Sequence, residues 1–180
     1  MEDFYSLQEL YEDRLESQRI KTRFLNRVDI PLWIPFFEED SSIEFLMQRD
    51  GSSNEQMATK WIQKQLQRYQ EGTFGLQAII DKKSKNIVGH CGLLLQKINN
   101  KLEVEIGYHI LPEFRRQQYA SDAVQLFVKY AFESGICHSL VCMIHEKNFK
   151  SEKVALKNGF KFDFQIVIDH QKINIYRLNK

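Results

Sequence analysis

The chain has 180 residues, a net charge of +1, 43% apolar and 27% charged residues. That length favours one domain with a substantial core, and the balanced charge gives no overall attraction for nucleic acid or an anionic membrane. Cys91, Cys137 and Cys142 form an odd set without Cys-x-x-Cys spacing, which argues against a disulfide framework or a thiolate zinc site. With no apolar signal core and no apolar run of membrane-spanning length, the expected location is cytoplasmic.

Met1 to Ser17 carries Phe4, Leu7, Leu10, Tyr11 and Leu15 among acids, and this predicts an amphipathic helical extension over residues 1–17 in front of a single domain over 18–180. Arg19 to Leu25 alternates as a strand. Asp29 reads as a helix N-cap with Pro31 in the first turn, and Pro35 as an interruption or bend of that aromatic helix. Ser53 and Gln56 have capping-box spacing before a helix with Met57, Ala58, Trp61, Ile62, Leu66 and Tyr69 on one face, ending near Gly72. Phe74 to Ile80 and Ile87 to Ile98 read as strands joined by a polar hairpin loop, and Asn99-Asn100 turns the chain into another strand.

That next strand, Lys101 to Ile110, puts Leu102, Val104, Ile106, Tyr108 and Ile110 on one face and Glu103, Glu105, Gly107 and His109 on the other. Pro112 stops it. A turn bearing Arg115 and Arg116 leads into a helix with apolar residues from Ala120 to Ala131, closed by Gly135. Cations beside the free N–H groups of a helix N-terminus suit a phosphate, although surface arginines on such turns are common. Ser139 to His145 reads as a strand, Phe149 to Asn158 as a short helix, and Phe160 to Ile168 with Lys172 to Leu178 as a hairpin around Asp169-His170-Gln171. The order implies an α+β fold, a mixed and mostly antiparallel sheet with helices on both faces.

The layout, with Glu105-Ile-Gly-Tyr108, Leu111-Pro-Glu113, Arg115-Arg-Gln-Gln-Tyr-Ala120, Asn148 with Ser151, and Lys157-Asn-Gly-Phe160, resembles the GNAT superfamily of acyl-CoA-dependent N-acetyltransferases, in particular its RimJ/RimL-like branch. The resemblance implies a GNAT-like acyl-CoA N-acyltransferase fold and acetyl-CoA as co-substrate. It implies that the pyrophosphate is held by the turn of Arg115, Arg116, Gln117, Gln118, Tyr119 and Ala120, that the pantetheine arm runs along Ile110 and Leu111, that Asn148 holds the CoA arm and that Ser151 lies near the thiol. Two departures stand out. Gln118 occupies the position of the family's first glycine, where a side chain crowds the phosphate or demands a costly dihedral. Ala155 lies near where many relatives place a general-acid tyrosine.

Transfer to an amine requires removal of a proton from an ammonium of pKa near about 7.7–10.4. Glu105, on the polar face of the strand, is the first candidate base, against the simpler reading that Glu103 and Glu105 form a solvated face. His170 in the final hairpin is the second, with His109 and His145 behind it. A backbone N–H near Ile110 to Leu111 is the expected oxyanion donor. The resemblance implies an acceptor pocket lined by Leu32 to Met47 and Ile166 to Ile175, where Glu38, Glu39 and Asp40 offer a surface for a cationic amine or simply a solvated helix end, and Trp33, Phe36 and Phe37 mainly pack. No metal site is expected; a homodimer is left open. The alternative to an active transferase is a catalytically weakened CoA-binding or regulatory protein of the same fold.

Overall fold

The computed structural model describes residues 10–46 and 51–180. Seven strands form one sheet in the order β1-β2-β3-β4-β5-β7-β6. They are β1 Ile20–Phe24, β2 Phe74–Asp81, β3 Ile87–Ile98, β4 Lys101–Ile110, β5 Ser139–His145, β6 Lys161–Ile168 and β7 Gln171–Asn179. Every neighbouring pair is antiparallel except β4 with β5. Among the described residues the α-helices are α1 Ile30–Glu38, α2 Asp40–Ile43, α3 Asn54–Glu71, α4 Tyr119–Glu133 and α5 Phe149–Lys157.

Both faces of the sheet are covered, and the two faces of β4 show how. Val104 and Ile106 are buried with Tyr119, Ala123, Val124 and Phe127 of α4. On the opposite face His109 meets Trp61 of α3 edge-on, and its cross-strand partner His90 lies flat on Trp33 of α1 at 3.6 Å. The polar face read from the alternation is therefore roofed by α1 and α3 and is not a solvated surface. Alternation identifies two faces, whereas the elements that cover them lie elsewhere in the chain, α1 and α3 before β4 and α4 after it.

Local signals hold at most boundaries. Ser53 and Gln56 close a capping box on α3, and Gly72 ends that helix at φ 69°. Asn99-Asn100 and Asp169-His170 both take left-handed dihedrals, as tight hairpin turns require. Three expectations are corrected. Asp29 does not cap α1 with its side chain; it binds Arg23 at 2.7 Å, while Asn26 caps the preceding 3-10 turn Arg27–Asp29. Helix α1 continues through Pro35 to Glu38, because one missing hydrogen bond is outweighed by burying Trp33, Phe36 and Phe37. Residues 11–17 form no helix, and residues 1–9 of that expected extension lie outside the described residues. They run extended beside β1, with Leu15 and Thr22 exchanging hydrogen bonds and Tyr11 buried, its hydroxyl donating to the Gly75 carbonyl. This segment belongs to the core.

Candidate active site

The site begins where the sheet divides. Strands β3 and β4 stay in register from Ile98 and Lys101 to Gly89 and Ile110. Strands β4 and β5 pair only at Val104 with Leu140 and Glu105 with Val141, then part. The Leu111 N–H donates to the Val88 carbonyl at 3.0 Å, toward β3. In an antiparallel ladder the direction alternates, so the N–H groups of Ile110, Tyr108 and Ile106 point to the edge that β5 has left. Leu111 is thus occupied as a donor, and Ile110 and Tyr108 are the free ones. A cleft of about 1550 Å³ passes through this opening, lined by Tyr119, Ala120, Asn148 and Ser151 on one side of the sheet and by Phe36, Trp61, Lys64 and Arg68 on the other.

At the α4 side the turn is strained. Arg116 has φ 60° and Gln118 φ 68° with ψ 1°, the left-handed region. Gln118 thus pays the dihedral cost that glycine avoids, about 1–2 kcal/mol. No side chain caps α4, so its first N–H groups are unsatisfied and face the cleft. Lys157 of α5 donates to Gln118 Oε1 at 2.8 Å and draws that side chain toward α5.

The two arginines divide. Arg116 is exposed on the cleft rim, placed for an anion. Arg115 is a structural strap: its Nε donates to the Ile110 carbonyl at 3.2 Å, and its guanidinium reaches Glu39 at 3.2 Å, Ser41 at 3.1 Å and Ser42. Gln117 is not part of the cleft lining; its carbonyl accepts from Arg19 at 2.6 Å. Arg19 also binds Asp122 at 3.1 Å and lies 3.7 Å over the ring of Tyr119, which is buried. Sequence reading placed Arg19 only as a strand residue. Its three partners lie about 100 residues onward, so no local pattern reveals that it braces the turn.

The carboxylates of β4 also separate. Glu103 takes both ends of the Arg177 guanidinium at 2.9 Å, and Arg177 further binds Asp163 at 2.7 Å, an ion-pair cluster that raises the Arg177 pKa. Glu105 stands in the cleft, where Gln96 Nε2 donates to it at 2.5 Å. Burial pushes its carboxyl pKa up, while the Gln96 bond and the Arg68 charge work against the shift. Glu105 is thus a carboxylate poised above the usual range, as a proton acceptor near neutral pH needs to be.

Asn148 caps α5, its Oδ1 accepting from the Ser151 N–H at 3.1 Å. Its side-chain oxygen is therefore engaged within the protein. Tyr108, assigned from alternation to an apolar face, crosses the gap and donates its hydroxyl to the Ser151 carbonyl at 2.7 Å. This link pins the start of α5 to the open edge of β4. Ala155 is fully buried, in the core.

The histidines sort by surroundings. Burial lowers His109 to about 4, and burial also lowers His90, whose Nδ1 accepts from Trp61 Nε1 at 3.2 Å. His145 stacks on Phe45 at 4.9 Å at the cleft rim. His170 sits exposed in the β6–β7 turn and is not among the cleft-lining residues, so the structure does not bring it to Glu105. The expected acidic acceptor surface is also not present as such, since Glu39 is neutralised by Arg115 and the charges facing Glu105 are Lys64 and Arg68. Among the described residues no cluster suited to a metal ion occurs, and no helix is long and apolar enough to cross a membrane.

The site is thus a mixed sheet that splays beside a helix N-terminus, with the half-buried Glu105 carboxylate in the gap. The sequence pattern of the acetyltransferase (GNAT) domain matches residues 19–161. The chain belongs to the GNAT acetyltransferase family and is an N-acetyltransferase by class. It is 28% identical over 149 residues to an uncharacterized N-acetyltransferase, YoaA, of Bacillus subtilis (strain 168), covering 82% of each chain. It is 24% identical over 165 residues to the uncharacterized protein YkkB of the same organism, covering 91% of this chain and 94% of that one. Among solved structures, the RimL ribosomal L7/L12 alpha-N-protein acetyltransferase in complex with coenzyme A superposes with a TM-score of 0.76 at 17% identity, covering 93% of this chain and 98% of that one. At that identity the likeness speaks to the fold.

Proposed function

We propose that the protein transfers the acetyl group of acetyl-CoA to a primary amine, on a protein N-terminus or a small molecule, by direct attack with both substrates held in the cleft. The observation that carries this reading is the passage through the sheet. It joins an uncapped helix N-terminus with Arg116 at its rim to a half-buried carboxylate, Glu105, on the far side. The coenzyme A in the RimL complex supports acetyl-CoA as co-substrate. Its role would be to supply the acetyl thioester.

The first-turn N–H groups of α4, with Arg116 and Lys157, form the pyrophosphate cradle. Lys157 would exchange its Gln118 partner for a phosphate oxygen. The free edge of β4 at Tyr108 and Ile110 offers hydrogen bonds to the pantetheine amides, and one of these N–H groups stabilises the oxyanion that develops on the thioester carbonyl. Glu105 takes the proton that the attacking amine must lose. Ser151, in the first turn of α5, faces the departing sulfur from the positive end of that helix. With a thiol pKa of about 8.5, the sulfur leaves without a strong acid. The nitrogen-to-carbon amide bond forms, the carbon-to-sulfur bond breaks, and one proton is released in net. The free thiols Cys91, Cys137 and Cys142 accord with a cytoplasmic location, which is part of the same proposal.

The test is release of CoA thiol with a panel of primary amines, alongside thermal melting with and without acetyl-CoA. Amine-dependent release and a raised Tm are expected. No release with any amine, together with no shift on adding acetyl-CoA, overturns the reading. A shift without release would favour a CoA-binding protein that does not turn over.

A further inference from the structure

We infer that the acceptor amine carries an acidic group, which Lys64 and Arg68 hold while its amine faces Glu105; this rests on the transfer reading above. The two cations lie four residues apart on α3, hence on one face of the helix, and both line the cleft on the side of the sheet where Glu105 projects. Neither forms an ion pair within 4 Å among the described residues. Arg68 spends one N–H on Gln65 Oε1 at 3.2 Å, and its other guanidinium donors have no protein acceptor among the described residues.

Charge balance points the same way. Glu105 is the carboxylate that opposes both cations; Glu71 also opposes Arg68, and Glu39 in the cleft wall is paired with Arg115. With the exposed Lys64 and the half-buried Arg68 set against one half-buried carboxylate, this part of the cleft repels a plain ammonium more than it attracts one. It suits a substrate with an ammonium and an anion of its own, the first beside Glu105 and the second on the cations. Burial and the neighbouring Arg68 charge push the Lys64 pKa down, which marks the same unrelieved repulsion. An incoming carboxylate would relieve it. Phe36 and Trp61 supply an apolar wall for the body of the acceptor.

Two sources of the carboxylate are separable by assay. One arm compares L-phenylalanine with L-phenylalaninamide; the other compares the peptide amides Ser-Asp-Phe and Ser-Asn-Phe. The acid member of at least one pair is expected to have a kcat/KM about tenfold or more above its neutral partner, and the pair that responds names a free amino acid or a peptide. Arg68→Gln and Lys64→Gln are each expected to shrink that ratio toward one, mainly through KM. A binding arm needs no turnover: N-acetyl-L-phenylalanine and N-acetyl-Ser-Asp-Phe amide, with their neutral counterparts, are titrated into the CoA-bound protein by calorimetry. Charge-selective binding without any transfer would sink the transferase reading and keep this one. Transfer without acid preference in either arm, or variants that weaken both members of a pair equally, would overturn the inference alone.

Discussion

Replacing Glu105 by glutamine separates its chemical role from its structural one. The substitution keeps the shape and leaves an amide oxygen for Gln96 to donate to, so the hydrogen bond at 2.5 Å has a successor. The site loses a proton acceptor, for which the usual contribution of about 10²–10⁴ in rate corresponds to roughly 3–5 kcal/mol of barrier. Stability should move the other way. Glu105 has a folded pKa above its unfolded value, so its contribution is most favourable below the unfolded pKa and is lost as pH rises through the folded one. Above the folded pKa the charged, half-buried carboxylate is therefore a burden, and there Glu105→Gln should melt at the same temperature as the parent or higher. The assay is CoA-thiol release over pH 5–9 with the best amine of the panel, with melts on the same samples. The parent should show a kcat/KM limb at a pKa above the ordinary carboxylate value of about 4.3, and the variant should lack it. A folded variant that keeps more than about a fifth of kcat, or retains the limb, refutes Glu105 as the base.

Gln118→Gly should relieve a left-handed dihedral, raising stability by up to about 1 kcal/mol once glycine's greater unfolded entropy is set against it, and tighten acetyl-CoA as read by calorimetry. Arg177→Met leaves Glu103 and Asp163 unpaired and should cost about 1–3 kcal/mol in urea melts with little change in KM for acetyl-CoA. Acid should destabilise the fold through its buried imidazoles. His109, lowered to about 4, favours folding above the unfolded pKa near 6.5 and gives up roughly 3 kcal/mol as pH falls between the two. Melts at pH 7.5 and 5 on the parent and His109→Gln check this, and the variant should show the smaller difference. Tyr108→Phe removes the link to the Ser151 carbonyl and should raise KM for acetyl-CoA severalfold with the fold intact.

Local order was legible in the chain because it depends on neighbours. Period-two alternation marked β4, Ser53 and Gln56 marked the start of α3, paired asparagines marked a hairpin, and the run Arg115 to Ala120 with Asn148 and Ser151 marked the family. The same chain offered no way to tell Glu103 from Glu105, or Arg115 from Arg116. Each pair shares composition and environment at short range, and the difference is made by Arg177, Arg68, Glu39 and Ser42, which lie 37 to 76 residues away in sequence. The left-handed dihedral of Gln118, the departure of His170 from the site and the occupation of the Leu111 N–H were equally invisible. The sequence by itself determined the elements and the family. Only the tertiary structure decided which charges are satisfied within the protein and which are left for substrate, because that balance depends on groups that meet only when the sheet is assembled and its two middle strands diverge.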